Sequence, residues 1–223
     1  SIPSFRGRTG RAGAVSGATG GTMAFINLKN KVIQVKIVYY GPGRGGKTTN
    51  LEYIHRRFHD RIHAEMVTVK THGDRTLFFD FMPFDLGLIH GYQIKVQLYT
   101  VPGQPKYNAT RKLVLRGVDG IVFVADSMAV CRESNVQSLR NLQENLAAYR
   151  KNLATLPWVL QYNKIDLAEQ GIPVLSVDQL EQDLNRGFGR PAFPASALKG
   201  INVAATLKKI ISLAVTSIRE ELM

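Results

Sequence analysis

Val32-Ile33-Gln34-Val35-Lys36-Ile37-Val38-Tyr39-Tyr40 runs directly into Gly41-Pro42-Gly43-Arg44-Gly45-Gly46-Lys47-Thr48. The first stretch is rich in β-branched and aromatic residues that alternate with polar ones, which predicts a strand. The second matches GxxxxGK[ST], a phosphate-binding loop, and a strand leading into it is the context that pattern needs. Its glycines let backbone N–H groups converge on phosphate oxygens where a Cβ would clash. Helical spacing over Thr48–Phe58 predicts a helix whose positive N-terminal end faces the same point. Gly41, Gly43, Arg44, Gly45, Gly46, Lys47, Thr48 and Thr49 are therefore candidate phosphate-binding residues. Lys47 would reach the β- and γ-phosphates, and the Thr48 hydroxyl would sit on Mg²⁺. A chance glycine-rich turn is the competing reading, and the flanking strand and helix argue against it.

The rest of the chain alternates in the same manner. Leu77–Phe84 and Tyr92–Thr100 are apolar runs, joined by Asp85–Gly91 as a hairpin connection. Gly120–Asp126 and Trp158–Asn163 are apolar throughout, as strands covered on both faces must be. Phe193–Ala197 is a last short strand. Helices are predicted at Asn108–Leu115, Ser134–Tyr149, Asp178–Leu184, with Ser176 or Asp178 as its cap, and Asn202–Glu221. Asp60–Thr76 has no clear periodicity and reads as a long functional loop. This pattern is that of an α/β domain, with a mostly parallel sheet, one antiparallel strand at its edge and helices on both faces.

Residues 1–22 are rich in Gly, Ser, Thr and Arg and read as a flexible arm, with the folded domain spanning 23–223. Met23 has the look of a natural start, which would make the arm an over-long reading frame or a vector-derived addition. Composition is that of a soluble globular protein, with 44% hydrophobic and 21% charged residues among 223. A single cysteine, Cys131, leaves no internal disulfide and suits a reducing cytoplasm. No membrane span, prenylation box or myristoylatable glycine is evident, so no direct membrane anchor is expected. The net charge of +12 is spread along the chain without aromatic–basic alternation, so no specific nucleic acid is expected.

A phosphate loop alone does not choose between purines. Asn163-Lys164-Ile165-Asp166, an NKxD motif closing an apolar strand, does. A carboxylate at Asp166 can accept from both N1–H and the exocyclic amine of guanine, a donor pair that adenine lacks. Sites built on such bonds discriminate by roughly 10⁴-fold or more. Asn163 can tie the base loop to the phosphate loop, and the Lys164 stem can cover one base face. Ser196-Ala197 fits a third element, a backbone N–H offered to guanine O6.

At this point the chain resembles the Ras-like small GTPases of the P-loop NTPase fold, and within them the bacterial MglA family of cell-polarity switches. The resemblance covers nearly all of 23–223. It rests on Tyr39–Gly43 into Gly46–Leu51, on Arg75–Phe81, on Leu98–Gln104 and on Gly117–Ser127. It implies that Thr76 contacts Mg²⁺ and the γ-phosphate, that the Gly103 N–H senses that phosphate, and that Gln104 orients the attacking water. It implies too that Arg75 is an arginine supplied in cis to the transferring phosphoryl group. Gly43 stands where a side chain would crowd the water and the arginine.

Thr100 departs from most small GTPases, which carry a Mg²⁺-anchoring aspartate there, but the MglA pattern shares the departure. Asp80 in the edge strand could supply the charge after a two-residue register slide, since a one-residue slide would invert its face. Plainer readings remain for several residues. The alternative for Arg75 is a surface residue paired with Asp74 or another acid, Asp80 reads as an ordinary strand-face acid, and His55, His59 and His63 form a solvated face.

The resemblance implies a cytoplasmic GTP/GDP switch, recruited to a cell pole, that controls polarity or gliding and twitching motility. Its expected partners are a Roadblock-type, MglB-like dimer as GTPase activator, and polarity or motility effectors. The rivals are a GTP-binding scaffold with little hydrolysis, prompted by Thr100, and a nucleic-acid-associated GTPase, prompted by the charge.

Overall fold

The computed structural model describes residues 25–27, 30–61, 67–69, 79–89 and 91–222. The strands are β1 (Phe25–Asn27), β2 (Val32–Tyr40), β3 (Val67–Val69), β4 (Phe79–Ile89), β5 (Tyr92–Thr100), β6 (Gly120–Asp126), β7 (Trp158–Asn163) and β8 (Ala192–Pro194). The helices are α1 (Lys47–Arg57), α2 (Asn108–Val114), α3 (Arg132–Ala147), α4 (Val177–Leu180) and α5 (Val203–Leu222). All eight strands join one sheet in the order β3-β4-β5-β2-β6-β7-β8, with β1 beside β2. Strands β5, β2, β6, β7 and β8 run parallel, and β4 returns antiparallel on β5. These six form the expected mostly parallel sheet with one antiparallel edge.

Two three-residue strands extend that sheet. β3 lies outside β4, within the stretch read as a loop. β1 pairs with Val32–Gln34, the part of β2 that precedes its pairing with β6 at Ile37. The hairpin connection is shorter than expected. β4 continues to Ile89, and its register shifts between Asp85 and Gly87. Gly87 takes a left-handed φ of 76°, and its N–H donates to Asp85 Oδ1 at 2.8 Å. The turn-like sequence is thus absorbed as a bulge inside the strand.

Period-two alternation sends neighbouring strand residues to opposite faces. Val35, Ile37, Tyr39, Val122 and Val124 pack with Leu51 and Ile54 of α1 and with Val203, Leu207, Ile210 and Ala214 of α5. Val38, Tyr40, Ile121, Phe123 and Leu160 pack on the other face, with Leu139, Leu142 and Leu146 of α3. Every residue of β6 and β7 is buried, which explains their unbroken apolar sequence. The chain order reverses at β2, whose neighbours are β5 on one side and β6 on the other. In open α/β sheets ligands bind outside the carboxyl ends of the strands at this point.

At the opposite end, the Asp119 N–H donates to Lys36 O at 2.9 Å, and the Lys36 N–H returns to Asp119 Oδ2 at 2.8 Å. Burial pushes the Asp119 carboxyl up to about 6 from 3.8. Between those values the folded state holds a proton that the unfolded state has lost, so this residue's contribution to stability falls as pH rises. Asp119→Asn is expected to melt increasingly above the wild type, relative to its standing at pH 4, as pH is raised to 7. Parallel melting curves at both pH values would contradict this.

Candidate functional site: a purine-nucleotide cleft

The loop from Gly41 to Gly46 leaves the carboxyl end of β2 and turns into α1. Two of its glycines are dictated by neighbours. Gly41 has φ 143°, and a Cβ there would lie 2.1 Å from Val124 O. Gly46 caps α1 with φ 98°, and a Cβ there would lie 2.1 Å from Asn163 Nδ2. Lys47 is buried, and its Nζ donates to Gly41 O at 3.0 Å and Pro42 O at 2.6 Å. No acid lies in the first turn of α1, so its N-terminal field is not neutralised locally. Thr48 is exposed and Thr49 half-buried at that end.

The NKxD segment meets this loop from β7. Asn163 Nδ2 donates to Gly45 O at 2.8 Å, and Asn163 Oδ1 accepts from the Ala197 N–H at 2.8 Å. One amide thus joins the phosphate loop, the base loop and the Ser196-Ala197 turn. Beneath it, Asn50 on α1 and Gln161 on β7 exchange hydrogen bonds of 2.7 and 3.0 Å, both residues fully buried. Asn163→Ala removes two buried bonds and leaves an acceptor and a donor unpaired, at about 1–3 kcal/mol each. It is expected to speed release of a fluorescent GDP by about 10–100-fold on that basis. An unchanged release rate would show that the tie has no bearing on the nucleotide.

Arg44, Gly46, Thr49, Asn163, Lys164, Asp166, Ser196 and Ala197 line one cleft of about 320 Å³. Phosphate-loop and base-loop residues far apart in sequence therefore share one ligand site. Asp166 is 5% exposed, in the first turn of the 3-10 segment Ile165–Gln170, and no described residue donates a hydrogen bond to its carboxylate. Its oxygens face the cleft, so a ligand carrying two N–H groups can supply the donors that the described residues do not. Lys164 takes a left-handed φ of 71°, and its Nζ sits 2.5 Å from Asp126 Oδ2. Asp126 is itself fixed by Asn135, which bonds both its N–H and its carbonyl.

Met128, Leu167 and Leu198 also line the cleft and give it apolar surface. Leu198 is 74% exposed at the rim of the cleft. The Ser196 N–H donates to Ile201 O and the Ala197 N–H to Asn163. Both expected O6 donors are thus engaged within the protein, and a base must share them.

At the phosphate end, Gly103 packs on the loop so closely that a Cβ would lie 2.2 Å from Gly43 N. A Cβ on Gly43 would fit, 3.7 Å from Gln104 Cγ. Gln104 is exposed beside the loop. Thr100 is buried at the carboxyl end of β5, in register with Tyr39. Phe81↔Tyr99 is the last rung between β4 and β5, which leaves Asp80 one residue beyond it, on the Thr100 side, paired with Thr68 of β3. Arg75 and Thr76 lie outside the described residues, as do residues 1–22. No group of three His, Cys, Asp or Glu among the described residues could hold a metal. His55 is on α1, whereas His59 lies past its end and pairs with Asp60 at 2.8 Å. No described helix is long and apolar enough to cross a membrane.

Comparison with known proteins agrees with this geometry. Residues 36–216 match the Ras family model. Mutual gliding-motility protein MglA of Myxococcus xanthus is 45% identical over 198 residues, covering 89% of this chain and 99% of that protein. The Ypt/Rab-type GTPase ypt7 of Schizosaccharomyces pombe is 26% identical over 183 residues, 81% of this chain and 82% of that one. Rab7 of Drosophila melanogaster is 24% identical over 177 residues, 79% and 78% respectively. The chain belongs to the Ras family of small GTPases, in its MglA-like branch. It is a GTPase, and membership of this family implies that it binds GTP and GDP.

Proposed function

We propose that this GTPase is a two-state switch that governs polarity or surface motility, as the printed name of its Myxococcus relative suggests for that protein. The observation that carries the guanine reading is the donor-less Asp166 carboxylate in the cleft that also holds Gly46 and Thr49. With GTP bound, the segments around Arg75-Thr76 and Gly103-Gln104 are held through the γ-phosphate. They relax when it leaves. Mg²⁺, when bound by the Thr48 and Thr76 hydroxyls, supplies charge neutralisation on the β- and γ-phosphates. Thr100 is the expected outer partner there, and Asp80 would join it after a two-residue slide of β4.

Hydrolysis is in-line attack of water on the γ-phosphorus, with breakage of the bond to the bridging oxygen. Gln104 orients the water, the Gly103 N–H and Lys47 hold phosphate oxygens, and Arg75 stabilises the charge of the transition state. Gly43 leaves room for that arrangement. Slow turnover by the chain alone leaves a place for a Roadblock-type dimer that orders the Arg75 and Gln104 segments and recruits the switch to a pole. The test is single-turnover GTP hydrolysis with and without such a dimer. A rise of about 10-fold or more is expected, since positioning alone contributes on that scale. Tight binding of the dimer with an unchanged rate would reassign it from activator to effector.

A further inference from the structure

Gln104 stands in a segment, 101–104, that belongs to no helix or strand. Its geometry is set from outside by Arg111 of α2. Arg111 is 5% exposed, and its guanidinium is spent on neutral acceptors. Nη1 donates to Pro102 O at 3.0 Å and Gln104 O at 2.6 Å, and Nη2 to Pro105 O at 3.3 Å and Asn108 Oδ1 at 3.5 Å. Nε donates to Asn141 Oδ1 on α3 at 2.8 Å.

The carbonyls before and after Gly103 are thus held by one planar fork, which fixes both the Gly103 N–H and the point where the Gln104 side chain leaves the backbone. Asn141 Oδ1 also accepts from the Tyr40 hydroxyl at 2.6 Å, and Tyr40 directly precedes the phosphate loop. Burying a cation among neutral acceptors is costly. A leucine would fill the space without that cost, but no other side chain offers five donors in a fixed plane to an irregular run of carbonyls.

We propose that Arg111 is a positioning residue for GTP hydrolysis, acting through Gln104. This rests on the reading of Gln104 as the residue that orients water. The test compares wild type, Arg111→Lys, Gln104→Ala and the double variant in single-turnover hydrolysis, with GDP affinity and melting temperature measured alongside. Lysine keeps the charge and stem and loses the fork. Arg111→Lys is expected to slow hydrolysis by about 10–100-fold, the scale on which small misplacements act, with GDP affinity within about twofold, because the guanidinium bonds to 102–108 and Asn141 and to no residue of the phosphate loop, although Arg111 lines a cavity beside Gly43 and Arg44.

The double variant is expected to be no slower than Gln104→Ala, since a residue acting through another adds nothing once that other is gone. If Gln104→Ala is slow but Arg111→Lys matches wild type, or if the two losses multiply, the role of Arg111 is overturned and that of Gln104 stands. If Gln104→Ala is itself without effect, the reading of Gln104 fails, and the proposal falls with it. Should Arg111→Lys not fold, Asn141→Ala, which removes the Nε acceptor together with that amide's bonds to Tyr40, Asn108 and Asn145, takes its place with the same criteria.

Discussion

Asp166→Ala is expected to weaken GDP binding by about 10²–10⁴-fold, because two hydrogen bonds to a charged acceptor contribute about 1.5–3 kcal/mol each. The same substitution is expected to leave the nucleotide-free protein at least as stable as wild type. No described residue donates a hydrogen bond to that carboxylate, and its charge meets only the exposed Lys199 at a distance, so the fold gains little from it. Affinity and stability should therefore move in different directions. Titration with a fluorescent GDP gives the first, and thermal melting of the nucleotide-free protein the second. A variant that binds GDP normally would mean that another group reads the base. A variant that simply unfolds would make Asp166 a structural residue.

Arg75→Ala is expected to cut single-turnover GTP hydrolysis by about 10³–10⁵-fold, the range for an arginine that meets the developing charge of phosphoryl transfer. GTP and GDP affinities should stay within a few fold, because the interaction is made mainly in the transition state. Arg75→Lys should recover little, since a lysine head is a point charge without the planar fork. If the arginine only pairs with Asp74 on the surface, hydrolysis in Arg75→Ala would remain within about tenfold of wild type, because exposed ion pairs are worth little.

What could be read from sequence was what local chemistry writes down locally. The strand, glycine loop and helix from Val32 to Phe58 each follow from spacing and residue type, and β2 and α1 fall within a residue of those limits. NKxD is likewise contiguous, and Asn163 ties the loops together as its position suggested. Strands β1 and β3 escaped because three residues carry no measurable period. The β4 bulge was misread as a connection because Asp85 and Gly87 make the same short-range hydrogen bond in either setting.

Arg111 was invisible for a different reason. An arginine on a short helix reads as a solvated charge, and only the tertiary placement of 102–105 over α2 reveals it as buried. Asp126 closes an apolar strand and gives no hint of its partner, because Lys164 reaches it only through a left-handed backbone turn.

The most direct test of the central claim is competition at equilibrium. Protein loaded with fluorescent GDP in Mg²⁺ buffer is challenged with unlabelled GTP and, separately, with ATP. The buried carboxylate at position 166 predicts displacement by GTP near equivalence and none by ATP until it is in roughly 10⁴-fold excess. Displacement by ATP within about tenfold of GTP, a difference under 1.4 kcal/mol, would contradict a cleft built to read guanine.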